Sequence, residues 1–206
     1  MIADEVICGF GRTGNMWGAQ TFGIKPDLLT CAKALSSSYL PISAVLVSEK
    51  IYEGIRDQSG DLGGFSHGYT YSGHPVPAAV AVETLKIYEE RDIVGQVRNV
   101  APALQDGLRA FADHPLVGEV RGVGLIAGVE VVADKATKEA FEPSAKVGPK
   151  IQALAEENGL LIRAMGDSIG FCPPLIIDKE TIGEMMTRFA KTLDQTLAWA
   201  EAEKII

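Results

Sequence analysis

The chain has 206 residues, of which 47% are hydrophobic and 22% charged, with a net charge of −8 at pH 7. That balance excludes a disordered chain and allows a sizeable core, organised as one large domain or as one domain with a smaller partner. An acidic chain with no basic cluster is a poor ligand for nucleic acid or an anionic membrane surface, and no apolar run reaches the roughly 18 residues of a membrane span.

In chain order, Met1 to Ala3 read as a buried strand ending at Asp4-Glu5, followed by a glycine-rich turn and a short helix around Asn15–Gln20. The segment Lys25–Leu35 (KPDLLTCAKAL) sets a Pro-Asp turn before a second apolar run, and Ile42–Ser48 (ISAVLVS) reads as a third strand. Ser48 is placed to cap a helix from Glu49 to Arg56. Residues 57–75, rich in Gly and Ser, predict a long loop, and loops of that length in compact domains are usually functional or mobile. Pro77 then suits the first position of a helix. Beyond Arg91–Val94 the pattern changes to amphipathic helices alternating with short strands. A helix over 94–113 precedes a strand at Gly124–Val132, and a helix over 144–158 stops at Gly159. Two short strands flank Met165–Ser168, and Asp178 caps a last helix reaching about Lys204. Ile182, Met185, Met186, Phe189, Leu193 and Leu197 share one face of it. The expected organisation is α/β, with domains at 1–93 and 94–206.

The stretch Gly9-Phe10-Gly11-Arg12-Thr13-Gly14 spells G-x-G-x-x-G. A dinucleotide-binding loop needs its first glycine at a strand end and a helix opening at its third. Asp4 and Glu5 intervene before the first, and Gly18, Gly23 and Pro26 disrupt any helix after the third, so these glycines are expected only to turn the chain. The cluster at Arg121–Gly128 leads into strand residues and reads as structural. Cys8, Cys31 and Cys172 are odd in number and far apart, so neither a disulfide framework nor a metal site is expected. With no basic and apolar leader in the opening residues, a reducing, cytoplasmic setting is expected.

More informative is Asp4, a carboxylate at the end of a strand, where α/β folds place their ligand crevice. Lys33 follows among small and apolar residues, where burial would make its amine a nucleophile; the alternative is a lysine snorkelling to water. A lysine that forms an imine needs an aldehyde, which pyridoxal 5'-phosphate supplies. A buried aspartate keeps that coenzyme's ring nitrogen protonated, and a Gly/Ser/Thr loop such as Ser66–Pro75 (SHGYTYSGHP) offers donors for its phosphate.

The segments IADEVICGFGRTG, KPDLLTCAKALSSSYLPISAV and FSHGYTYSGHPVPAAVAVETL resemble the class III (omega) aminotransferases, fold-type I pyridoxal-phosphate enzymes, with the omega-amino acid/amine:pyruvate transaminases as the nearest group. The resemblance implies amino transfer from an omega-amino acid or amine to pyruvate or another 2-oxo acid, and a homodimer. Lys33 then resembles the Schiff-base lysine that moves the proton between substrate and coenzyme. Asp4 resembles the partner of the ring nitrogen, and Val6, expected on the same strand face, the residue packed on the ring. Thr70, with Tyr69 beside it, resembles the threonine on the phosphate bound by the neighbouring subunit. Arg163 resembles the mobile arginine that clamps a substrate carboxylate, the alternative being a surface salt bridge. Family chains are longer, and the strand bearing Asp4 starts at residue 1. The expectation is therefore a C-terminal half only: the later part of a mainly parallel-sheet large domain over 1–93, then an α+β small domain over 94–206. Open alternatives are an aminomutase, racemase or decarboxylase on the same fold, or a catalytically silent fragment lacking a first half that would carry a Gly-Ser phosphate loop and a ring-stacking aromatic.

Overall fold

A computed structural model describes residues 1–206. The chain divides into two compact units, Met1–Gly95 and Gln96–Ile206.

The first unit holds a three-stranded sheet of β1 (Ile2–Asp4), β2 (Leu28–Cys31) and β3 (Ala44–Val47), in the order β1-β2-β3. β1 runs parallel to β2, with Asp4 opposite Thr30, whereas β3 runs antiparallel to β2, with Cys31 opposite Ala44. A mainly parallel sheet is thus corrected to one parallel and one antiparallel pair. The cause is the connection: parallel return needs a crossover of a dozen or more residues, usually helical. Residues 32–43 contain only a 3-10 turn at Lys33–Leu35 and left-handed residues at Ser37 and Ser38, so the chain doubles back instead.

α1 (Gly18–Thr21) is a single turn, and α2 (Glu49–Leu62) runs six residues past its expected end at Arg56, stopping at the left-handed Gly63. Gly54 and Gly60, which argue for a loop by propensity, sit in α2 with open space around them, so nothing steric interrupts the helix. Ser48 precedes α2, but its side chain makes no capping bond. α3 (Pro75–Glu90) starts two residues before Pro77, with Pro75 in its first turn and His74 Nδ1 accepting the Val76 N–H at 3.2 Å. Ala81, Thr84 and Tyr88 make its buried face.

The second unit is an antiparallel sheet of β4 (Val117–Val123), β5 (Ile126–Val131), β6 (Arg163–Met165) and β7 (Ser168–Phe171), in the order β4-β5-β7-β6. Its helices are α4 (Ile93–Arg109), whose first three residues belong to the first unit, α5 (Val147–Glu157) and α6 (Lys179–Ala202). Strand β4, absent from the sequence reading, pairs with β5 through a hairpin turned at Gly124 (φ +60°). Two glycines and two charged positions, Glu119 and Arg121, hide its alternation. Asp178 accepts the Thr181 N–H at 2.7 Å and caps α6. Phe189 of α6 is fully buried, edge-on to Phe111 and Phe171 at centroid separations of 5.3 and 4.9 Å.

Candidate active site

Asp4 is the last residue of β1, and Lys33 lies two residues beyond the end of the parallel neighbour β2. Both therefore stand at the carboxyl ends of adjacent parallel strands, where open α/β sheets form their ligand crevice. The Asp4 carboxylate is exposed, as are Met1 and Ile2 ahead of it, so the buried strand and buried aspartate read from the sequence are corrected; Asp4 Oδ1 accepts the Val6 N–H at 3.0 Å. β1 ends at Asp4, so Val6 lies in the following turn and not on the strand face expected of it. The alternation that would align positions 4 and 6 stops when the backbone bends to make that bond.

Lys33 is exposed, not buried among its small neighbours as the sequence suggests. It opens the 3-10 turn with φ +44°, a left-handed conformation that costs a non-glycine residue of order 1–3 kcal/mol and marks segments that the surroundings over-determine. The Lys33 carbonyl accepts the Ser36 and Ser38 N–H groups, and Ser36 Oγ donates to the Leu40 carbonyl at 2.6 Å.

Glu5, which sequence reasoning set aside as half of an acid pair, has a structural task. Its side chain is only 3% exposed, and its two carboxylate oxygens accept the Gly18 N–H at 2.8 Å and the Ala19 N–H at 2.6 Å. It thereby closes the glycine-rich loop onto the strand that carries Asp4. Inside the loop, Gly9 donates to the Glu5 carbonyl, and a Cβ there would come within 2.7 Å of that oxygen. The glycines turn the chain and no helix opens at Gly14.

Tyr69 and Thr70 lie in the exposed 63–74 loop of the first unit. Tyr69 meets His67 edge-on at 5.5 Å, and its N–H donates to Ser72 Oγ at 3.0 Å. Neither bonds Asp4 or Lys33. Arg163 belongs to the second unit, at the start of the edge strand β6, paired with Gly170. It is exposed and holds no ion pair.

The donor set fits pyridoxal 5'-phosphate: an exposed carboxylate for the ring nitrogen and an amine free of any ion pair for the aldehyde, at the ends of paired strands.

Comparison with known proteins agrees with that chemistry. The class-III aminotransferase family matches residues 1–193. The chain belongs to this family of pyridoxal-phosphate-dependent aminotransferases. It is 51% identical over 195 residues to a chloroplastic γ-aminobutyrate transaminase 3 of Solanum lycopersicum, covering 95% of this chain and 38% of that protein. Among solved structures it resembles a transaminase with L-alanine, at 54% identity and a TM-score of 0.93, over 96% of this chain and 46% of that one. It also resembles the omega-transaminase of Pseudomonas jessenii in complex with PMP, at 52% identity and a TM-score of 0.92, over 96% and 44%.

Two expectations are corrected by these matches. The resemblance is not to a C-terminal remnant: the family match begins at residue 1 and runs through both units, so class III architecture extends across nearly the whole chain. What the matches give is a share of length, since the chain spans less than half of these relatives. The cytoplasmic expectation also falls, because plant relatives at 49–51% identity are named chloroplastic or mitochondrial. Neither signal used for it, the cysteine spacing or the composition of the opening residues, distinguishes among reducing compartments.

Proposed function

We propose that the protein is a transaminase that moves an amino group from an omega-amino acid or amine to a 2-oxo acid. The observation that carries this reading is the placement of Asp4 and Lys33 at the carboxyl ends of adjacent parallel strands, inside a segment that matches the family from residue 1. Relatives named for γ-aminobutyrate support an omega-amino acid as donor, and a related transaminase with L-alanine supports pyruvate as an acceptor.

Pyridoxal 5'-phosphate, when bound, supplies an aldehyde to carry the amino group and a ring that accepts the electrons of the broken C–H bond. Lys33 Nζ is the amine that would hold the coenzyme, and when free it would serve as the base that takes the proton from the substrate carbon bearing the amino group. The Asp4 carboxylate, whose Oδ1 accepts the Val6 N–H, would hold a proton on the ring nitrogen. Thr70 and Tyr69 would serve the phosphate held by a second copy of the chain, with the first unit as the coenzyme-binding one and the protein a homodimer. Arg163 receives a substrate carboxylate in a bidentate pair.

The test is to load the protein with coenzyme and add γ-aminobutyrate alone. The expected result is one equivalent of amino group taken up, with the coenzyme restored when pyruvate follows. Loss of hydrogen from the donor with no need for a 2-oxo acid contradicts transamination and favours an aminomutase or racemase.

A further inference from the structure

Tyr88 has no part in the chemistry above, yet it touches the segments around both candidate catalytic groups. It sits near the C-terminal end of α3, 7% exposed. Its phenol oxygen donates to the Ala34 carbonyl, inside the 3-10 turn that Lys33 opens, across a long 3.4 Å. On the other side its ring lies 6.3 Å from Phe10, tilted by 57°. Phe10 is buried, left-handed at φ +63°, and packed on Trp17 at 4.8 Å, in the loop that follows Asp4.

The Lys33 turn needs such an anchor. Lys33, Ser37 and Ser38 all have positive φ, and such conformations persist only where neighbours hold them. Backbone bonds within the turn are local and can be remade in another geometry. The phenol of Tyr88 is the contact that reaches it from a different element, 54 residues away.

We infer that Tyr88 is a positioning residue: its buried phenol locks the strained Lys33 turn against the Phe10 loop, fixing where the Lys33 amine stands relative to Asp4. Burial also pushes the phenol's pKa up, so it stays protonated and able to donate. This inference rests on Lys33 as the coenzyme-binding lysine.

The test uses the full chain as wild type, Tyr88→Phe and Tyr88→Leu. Tyr88→Phe keeps the ring and removes only the hydroxyl. Hydrogen exchange without coenzyme follows the amides of residues 35–39, with those of β5 and β7 as internal control. Separately, each protein is incubated with pyridoxal phosphate across a pH series, reduced with borohydride, and the modified residue located by mass.

In Tyr88→Phe, exchange at 35–39 is expected to rise about threefold or more with the control amides unchanged. The pH profile of Lys33 labelling is expected to shift, and Tyr88→Leu to exceed Tyr88→Phe in both. If Tyr88→Phe matches wild type in exchange and in the pH profile, while wild type is labelled at Lys33, this inference is overturned and the lysine assignment stands. If wild type is labelled elsewhere, the lysine assignment falls and the inference falls with it.

Discussion

In the proposed reaction Lys33 moves a proton and Asp4 holds one, a division of labour that one side chain cannot perform. Lys33→Ala is expected to lower turnover by roughly 10²–10⁴-fold, the range for loss of a positioned proton-transfer group, with stability nearly unchanged because the side chain is exposed. Steady-state assays alongside thermal unfolding separate the two effects. Glu5 should behave in the opposite way. Its carboxylate satisfies two buried N–H groups, and charge-assisted bonds of this kind contribute about 1.5–3 kcal/mol each. Glu5→Ala therefore unfolds at clearly lower denaturant, whereas Glu5→Gln keeps one acceptor and falls between. Equal midpoints for all three proteins contradict the closing role of Glu5.

Among the elements, α6 and the 114 turn hold the second unit in different ways. Phe189 packs against Phe111 and Phe171 with no exposed surface, and Phe189→Ala is expected to cost about 3–5 kcal/mol in chemical denaturation. His114 makes this unit sensitive to acid. Burial holds its pKa below the ordinary 6.5, although Asp194 pulls the other way, and its Nδ1 accepts the Leu116 N–H at 3.2 Å. Below 6.5 the unfolded chain binds a proton that the folded imidazole refuses. The stability His114 contributes is complete above that pH and is lost as pH falls through the folded value. Denaturation midpoints at pH 7.5 and pH 5 should differ by less in His114→Asn than in wild type.

The same elements show what the sequence could reveal. The α6 face was legible because six apolar residues recur at helical spacing, and Asp178 stands where a cap belongs. β4 was not, since Gly118 and Gly122 interrupt an alternation that already carries Glu119 and Arg121. α2 was truncated in the reading because Ser59 and Gly60 suggest a loop, whereas the helix simply continues across them. Asp4, Lys33 and Thr70 stood out through motif resemblance. Their supports did not, because a buried contact such as Tyr88 to Ala34 spans 54 positions and leaves no local pattern.

At the scale of the whole molecule, the first unit carries much uncovered apolar surface. Val45, Leu46 and Val47 of β3 are exposed, as are Tyr39, Tyr69 and Tyr71. Large exposed apolar patches mark interaction surfaces, and the proposed homodimer, in which Tyr69 and Thr70 would face a second copy, would cover part of them. Light scattering on the purified protein should give twice the protomer mass, and a Leu46→Lys change should shift it toward the protomer. A monomer at all concentrations contradicts that assembly.

The central claim is that Lys33 carries the coenzyme, and covalent capture tests it most directly. The protein is mixed with pyridoxal phosphate, reduced with borohydride, digested, and its peptides weighed. The account predicts a single pyridoxyl adduct on the peptide containing Lys33, abolished in Lys33→Ala; an adduct on another lysine, or one that survives the substitution, contradicts it.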